Sequence, residues 1–209
     1  MVKELYIAGE WRLGRGHVIQ STFPADNSVN AEISTASPED IEEAIAKADQ
    51  AWRAPEWRNR MPHERAKILY KVADIIEARV NELSQLQTRD NGKPLAETRG
   101  LVLSAAATAR YVAAACETLN DELTTQRAPD FMTFSVHEPV GVVAAITPWN
   151  SPIASEVQKL APALAGGNAV ILKPAEATSL IALELAKIFE EAGLPKGLLS
   201  VLVGKGSVV

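Results

Sequence analysis

Cysteine is almost absent: Cys116 stands alone in 209 residues. One thiol forms no internal disulfide, so the fold is not a disulfide scaffold, and the cytoplasm is the expected compartment. Histidine is nearly as scarce. His17, His63 and His137 are scattered, whereas a zinc site needs ligands in tighter clusters, so no metal is expected. Basic runs are missing, and 21 Lys and Arg against 26 Asp and Glu leave a net charge of −5. Phosphate binding depends on concentrated cations, so no nucleic-acid partner is expected. No apolar run approaches the roughly 18 to 20 residues of a membrane helix. The opening "MVKELYIAGEW" has neither an apolar h-region nor a cleavage site, so no secretory leader is expected. Repeats and low-complexity tracts are also lacking. What remains is an ordinary globular composition, 47% apolar and 22% charged, long enough for one large domain or two small ones.

Two regimes divide the chain. Up to about residue 128 the pattern is helical after a short extended start, "ELYIAGEW", which enters a turn at Gly9. Residues 21–36 are polar and rich in turn formers. "SPED" at 37–40 starts a helix, with Ser37 as N-cap, Pro38 at the first helical position and acids in the first turn. Ile41, Ala44, Ile45 and Ala48 follow at helical spacing. A second helix begins near Pro62, with Ala66, Leu69, Tyr70, Ala73 and Ile76 on one face. "DNGKP" at 90–94 breaks the pattern, Gly92 being free to take positive φ and Pro94 opening a third, alanine-rich helix.

From about residue 131 the pattern changes. "FMTFSVHEP" alternates as a half-exposed strand, and "VGVVAAI" at 140–146 is an unbroken apolar run, the mark of a strand buried on both faces. A helix over about 153–165 ends at Gly166 and Gly167. "NAVIL" is a second buried strand, an amphipathic helix covers about 178–192, and "LLSVLV" at 198–203 is a third. This β-α-β-α-β order predicts an α/β fold: a helical N-terminal region followed by half of a doubly wound, Rossmann-like parallel sheet.

Open α/β sheets bind ligands beyond the carboxyl ends of their strands. The three strands deliver "TPWN", "KPAE" and "GKG" to that edge, and with them Trp149, Asn150, Lys173, Glu176, Gly204 and Gly206. Lys173 carries three donors and Glu176 is an acceptor, a set that suits the two hydroxyls of a ribose. A carboxylate there repels a phosphate on the same ribose. Trp149 offers an apolar wall, and the Asn150 amide can donate to a developing oxyanion. Each residue taken alone also has a plainer reading. Lys173 and Glu176 fit a solvated surface pair, Asn150 fits a helix cap, and Trp149 fits core filling. The fingerprint G-x-G-x-x-G is not completed, because position 209 is Val. Cys116 lies within the alanine-rich helix with no histidine near it in sequence, as a small buried residue would.

"EPVGVVAAITPWNSP", "KLAPALAGGNAVILKPAEAT" and "EEAGLPKGLLSVLVGKG" resemble consecutive signature segments of the NAD(P)-dependent aldehyde dehydrogenase superfamily. "YIAGEW", "RAKILYKVADIIEAR" and "NGKP" are similar to it in the same order. The resemblance implies oxidation of an aldehyde to an acid, in which a cysteine thiolate attacks, hydride passes to a nicotinamide, and a glutamate activates water. It implies that Asn150 is the side-chain donor of the oxyanion hole and that Lys173 and Glu176 hold the adenosine ribose. Ile146, Thr147, Pro148, Trp149, Ala175 and Gly206 match positions lining the cofactor, and Glu176 favours NAD over NADP. The implied division is a helical region over 1–128, a strand of an oligomerisation layer over 129–139 and a partial cofactor domain over 140–209. A small aldehyde and a homodimer or homotetramer are the implied partners. Family members run to more than twice this length, and their nucleophile and base lie beyond the equivalent of residue 209. Cys116, upstream of "TPWN", does not match the nucleophile. The chain therefore resembles the N-terminal part of such an enzyme, expected to be inactive alone and to leave its third strand as an uncovered edge. The alternative is a non-catalytic module that binds a nucleotide or another subunit.

Overall fold

The computed structural model describes residues 2–209. Helices α1 (Pro38–Arg53), α2 (Pro55–Arg58), α3 (Pro62–Ala78), α4 (Val80–Asn91) and α5 (Leu95–Thr118) build the first part. Helix α1 starts where the sequence predicts. The backbone N–H of Asp40 donates to the Ser37 hydroxyl at 3.3 Å, and Ser37 N–H donates to the Asp40 carboxylate at 3.0 Å, so two orphan donors of the first turn are satisfied reciprocally. Gly92 caps α4 in the left-handed conformation, φ +76°, and Pro94 precedes α5. The helical stretch from Pro62 to that break is two helices, parted at Arg79. The Arg79 guanidinium joins Glu82 in the first turn of α4 to Glu184 farther along the chain.

The remaining helices are α6 (Pro152–Ala165) and α7 (Leu180–Glu191). They alternate with β5 (Val142–Ile146), β6 (Ala169–Lys173) and β7 (Leu199–Val201), which pair in parallel as the sequence predicts. Asn168 sets the turn into β6. Its amide oxygen accepts from Gly141 N–H at 2.9 Å and its amide nitrogen donates to Ala163 O at 2.9 Å, which ties the start of β5 to the end of α6. Helices α6 and α7 pack with α3 and α5 into one apolar core that includes Val157, Leu160, Leu185 and Phe189.

Three expectations are corrected. "ELYIAGEW" is a hairpin, β1 (Leu5–Ile7) and β2 (Glu10–Arg12), and β1 pairs antiparallel with β7. The five-stranded sheet therefore runs β2-β1-β7-β6-β5 and is mixed. The third strand of the parallel set is covered, and the open edge is β5, whose Ile146 is 69% exposed. Its apolar run thus marks a strand at the sheet's margin rather than one buried on both faces. Second, residues 21–36 are not mainly turn. Two further strands, β3 (Val18–Thr22) and β4 (Val29–Ser34), form a separate hairpin with a register shift at Ser21 and Thr22. Only the residues between them turn, with Asn27 at φ +58°. Third, "FMTFSVHEP" forms no strand. Phe134 makes a single bridge to Leu123, no strand among the described residues extends that ladder, and Phe131, Met132, Phe134 and Val136 are exposed.

Candidate functional site

The carboxyl ends of β5, β6 and β7 meet as the topology demands. Ile146 lies opposite Lys173 across the parallel ladder, and Thr147 N–H donates to Lys173 O at 3.1 Å. Leu202 N–H donates to Leu172 O at 2.9 Å, and Ala36 N–H donates to Val203 O at 2.8 Å, which fastens this end of the sheet to the start of α1. Pro148, Trp149 and Asn150 follow β5 into the open, where Trp149 is 62% exposed and so is not core filling. The N-cap of α6 is Ser151, without a side-chain cap bond, so the Asn150 amide is not committed to capping.

Lys173 and Glu176 are half-buried. Among the described residues they form no ion pair with each other. The Lys173 ammonium reaches only Pro174 O, at 3.4 Å, a long contact that leaves donors free. Glu176 opens a short 3₁₀ turn, Glu176–Thr178, held by the Ser179 hydroxyl donating to Ala175 O and Glu176 O at 3.2 and 3.1 Å. With Trp149, Ser21, Thr22, Asp90 and Thr178, Glu176 lines a hollow of about 500 Å³. Ala175, half-buried, begins that turn. The buried Thr147 hydroxyl has no hydrogen-bond partner among the described residues. A free cation, a free carboxylate, an uncommitted amide and an orphan hydroxyl at one sheet edge fit the mixed donor and acceptor needs of a ribose diol. Gly206 stands apart in an exposed turn after β7. A Cβ there would meet nothing within 4 Å, so nothing in this structure requires glycine at that position.

Cys116 is remote from this edge. Its Sγ lies 3.5 Å from Ala165 O, at the far end of α6 from Asn150, and 14 helical residues span about 20 Å. Burial pushes the thiol pKa up, and Arg65 only partly opposes it, the reverse of what an activated nucleophile needs.

The face of α4 that organises the site from behind is not apparent in the sequence. Gln87 accepts Ile153 N–H in the first turn of α6 at 3.2 Å, and Asp90 accepts Ile181 N–H in the first turn of α7 at 3.1 Å. These two helices follow the strand ends that carry Asn150 and Glu176. Spacing of three along α4 was the available signal, but nothing in "QTRD" alone says which helix each side chain meets.

An open sheet with these groups at its carboxyl edge is the framework of a nucleotide-binding α/β protein. Residues 11–209 match the aldehyde dehydrogenase family, and the chain belongs to that family. It is 37% identical over 206 residues to the α-ketoglutaric semialdehyde dehydrogenase of Bacillus subtilis (strain 168), covering 98% of this chain and 42% of that protein. It is 41% identical over 209 residues to the 3-sulfolactaldehyde dehydrogenase of Priestia aryabhattai, covering 98% and 43%. Its fold superposes on the NAD+ complex of an aldehyde dehydrogenase from Bacillus cereus with a TM-score of 0.95 at 35% identity, covering 100% of this chain and 43% of that one. The chain thus spans less than half the length of these relatives.

Proposed function

We propose that these residues form the oxyanion-stabilising and ribose-binding part of an NAD-dependent aldehyde dehydrogenase that converts an aldehyde and water to an acid. The observation that carries this reading is the uncommitted Asn150 amide at the end of β5, next in the sheet to free Lys173 and Glu176 at the end of β6. Lys173 donates to ribose hydroxyls and Glu176 accepts from them, which fixes the nucleotide along the sheet edge. A bound nicotinamide would supply the hydride acceptor. Asn150 donates to the carbonyl oxygen of the aldehyde as it gains negative charge under thiolate attack. Cys116 is not that thiolate, so the nucleophile and the water-activating base come from outside these 209 residues, and this chain alone does not turn over. Glu176 disfavours the 2′-phosphate of NADP by like-charge repulsion. Ile146, Pro148 and Trp149 give the cofactor an apolar flank. The exposed stretch 129–139, which is no strand in the single chain, gains a partner strand in the intersubunit layer of a homodimer or homotetramer, and the protein works in the cytoplasm.

The test has two parts. Calorimetric titration of the 209-residue chain with NAD and NADP reports the half-site, and NADH release with a simple aldehyde is measured on the intact gene product. Binding of NAD by the chain with turnover only in a product more than twice its mass supports the reading. A native 22.5 kDa product that binds NAD without turnover favours the non-catalytic module. An intact product that binds neither nucleotide refutes both.

A further inference from the structure

At the amino ends of β5 and β6, the opposite end of those strands from Lys173, lies another hollow, of about 290 Å³. Trp52, Trp57, Arg58, Arg65, His137 and Glu138 are in its lining. Both indoles are fixed. Trp57 is buried and donates to Gly167 O at 2.8 Å. Trp52 donates to the Asp49 carboxylate at 3.0 Å and lies against Gly141, where a Cβ would stand 3.3 Å from the ring. Arg65 is half-buried and fixed as well. Its Nε donates to Ala165 O at 2.8 Å and its Nη1 to Arg60 O, while Nη2 has no partner among the described residues. Carbonyls orient that guanidinium without neutralising it. Neither Arg65 nor the exposed Arg58 is in an ion pair among the described residues. Nearby carboxylates do not serve them. Glu64 accepts from Met61 N–H at 2.9 Å, Glu56 is exposed, and Glu138 lines the hollow without pairing with either cation. His137 is taken by Asp121 at 2.8 Å. Two guanidiniums against one carboxylate leave the lining one net positive charge. A half-buried cation without a counter-ion is an unmet demand for an anion, and the planar guanidinium fork is shaped for carboxylate or phosphate.

We propose that this hollow is a binding site for a small oxyanion, a carboxylate or a phosphate. Arg58 and the free edge of Arg65 hold the charge, and the Trp52 indole receives the flat or apolar group that carries it. The volume stands at the lower bound of small-molecule sites, roughly 300 Å³, so the ligand is small. Bonds within the chain already hold the walls, so little ordering accompanies binding. Glu138 is the competitor. Swung onto either guanidinium it takes the ligand's place, so removing its charge favours the ligand. The site draws on no residue of the proposed nucleotide edge and stands or falls without that reading.

The test uses the 209-residue chain and needs neither nucleotide nor aldehyde. Indole ¹H–¹⁵N signals are followed as sodium benzoate or inorganic phosphate is added, with sodium chloride holding the ionic strength constant. The Trp52 and Trp57 signals should shift to saturation while those of Trp11 and Trp149 stay fixed. Arg58→Gln should weaken binding about tenfold or more, the loss of one contact to a charged group, and Glu138→Gln should tighten it. Should Arg58→Gln fail to fold, the direction of the change in Glu138→Gln decides. Tighter binding of benzoate assigns the site to organic carboxylates, and tighter binding of phosphate assigns it to phosphates. Binding of neither overturns the proposal. So do shifts that chloride alone reproduces, or that Arg58→Gln leaves undiminished. Binding that appears only in Glu138→Gln overturns it too, because Glu138 would then already serve the arginines. Failure to bind NAD would leave these titrations unchanged and count only against the proposed function.

Discussion

Raising the pH from about 4 to about 7 should cost this chain stability through its buried acids, most readably Asp90. Its side chain is 1% exposed. Burial pushes its pKa from 3.8 up to about 7, against the opposing pull of Ile181 N–H and the Ser21 hydroxyl. In the unfolded chain the same carboxyl ionises at its ordinary value. Across that window the native state therefore holds a proton that the unfolded state has released. By linkage, stability is then lost as pH rises. A displacement of about 3 units at about 1.36 kcal/mol per unit gives ~4 kcal/mol, a large part of a typical domain's stability. Asp90→Asn is the matched perturbation, because the amide oxygen still accepts Ile181 N–H while its nitrogen reaches Ser21. Urea unfolding of both proteins at intervals from about pH 4 to pH 8 reads the effect as a difference. Taking the difference cancels acids such as Asp40 and Glu184, whose pKa values are lowered and which add stability as pH rises. Wild type and variant should match near pH 4, and the variant should lead by up to ~4 kcal/mol at the alkaline end. A difference that stays flat across the window refutes the reasoning.

Trp57→Phe removes the indole N–H that donates to Gly167 O at 2.8 Å. Leaving that buried carbonyl unpaired should cost about 1–3 kcal/mol in chemical denaturation, and no loss would mean that water replaces the indole. Ala144→Lys places a charge on the exposed face of the edge strand β5. It should lower concentration-dependent light scattering, and an unchanged signal would show that self-association does not use this edge. In the intact enzyme, Asn150→Ala should reduce kcat about a hundredfold or more, and an unchanged kcat would remove Asn150 from the oxyanion role.

The strands that carry the candidate site are legible in the sequence because "VVAAI", "AVILK" and "LSV" are apolar runs stopped by Pro or Gly. The first turn of α1 is legible because "SPED" holds its own cap. The β3–β4 hairpin is not, because "VIQST" and "VNAEIS" mix polar and apolar residues on strands that are mostly half-exposed or exposed. "FMTFSVHEP" fails in the opposite sense. Its alternation is real, but a strand exists only where a partner supplies the ladder. Lys173, Glu176 and Asn150 are placed by the general rule for strand ends. Gln87 and Asp90 are not, because their meaning depends on which helices α4 meets, information held in packing between residues far apart in the chain.

The pairing of β1 with β7 has a consequence for how the protein is made. Ala8 N–H donates to the Ser200 hydroxyl at 2.9 Å, across 192 residues. Closing a flexible loop of that length costs roughly 5 kcal/mol of chain entropy, and the contact cannot form until β7 has left the ribosome. The helices of the first part can collapse on one another as they emerge, but the β1–β2 hairpin must wait, unpaired on one edge, until β7 has been made. Closure of this sheet should therefore be a late stitching of β1 onto β7, slow for the reason that non-local strand pairing is slow. The first dozen residues would then be the latch that determines when the sheet becomes permanent.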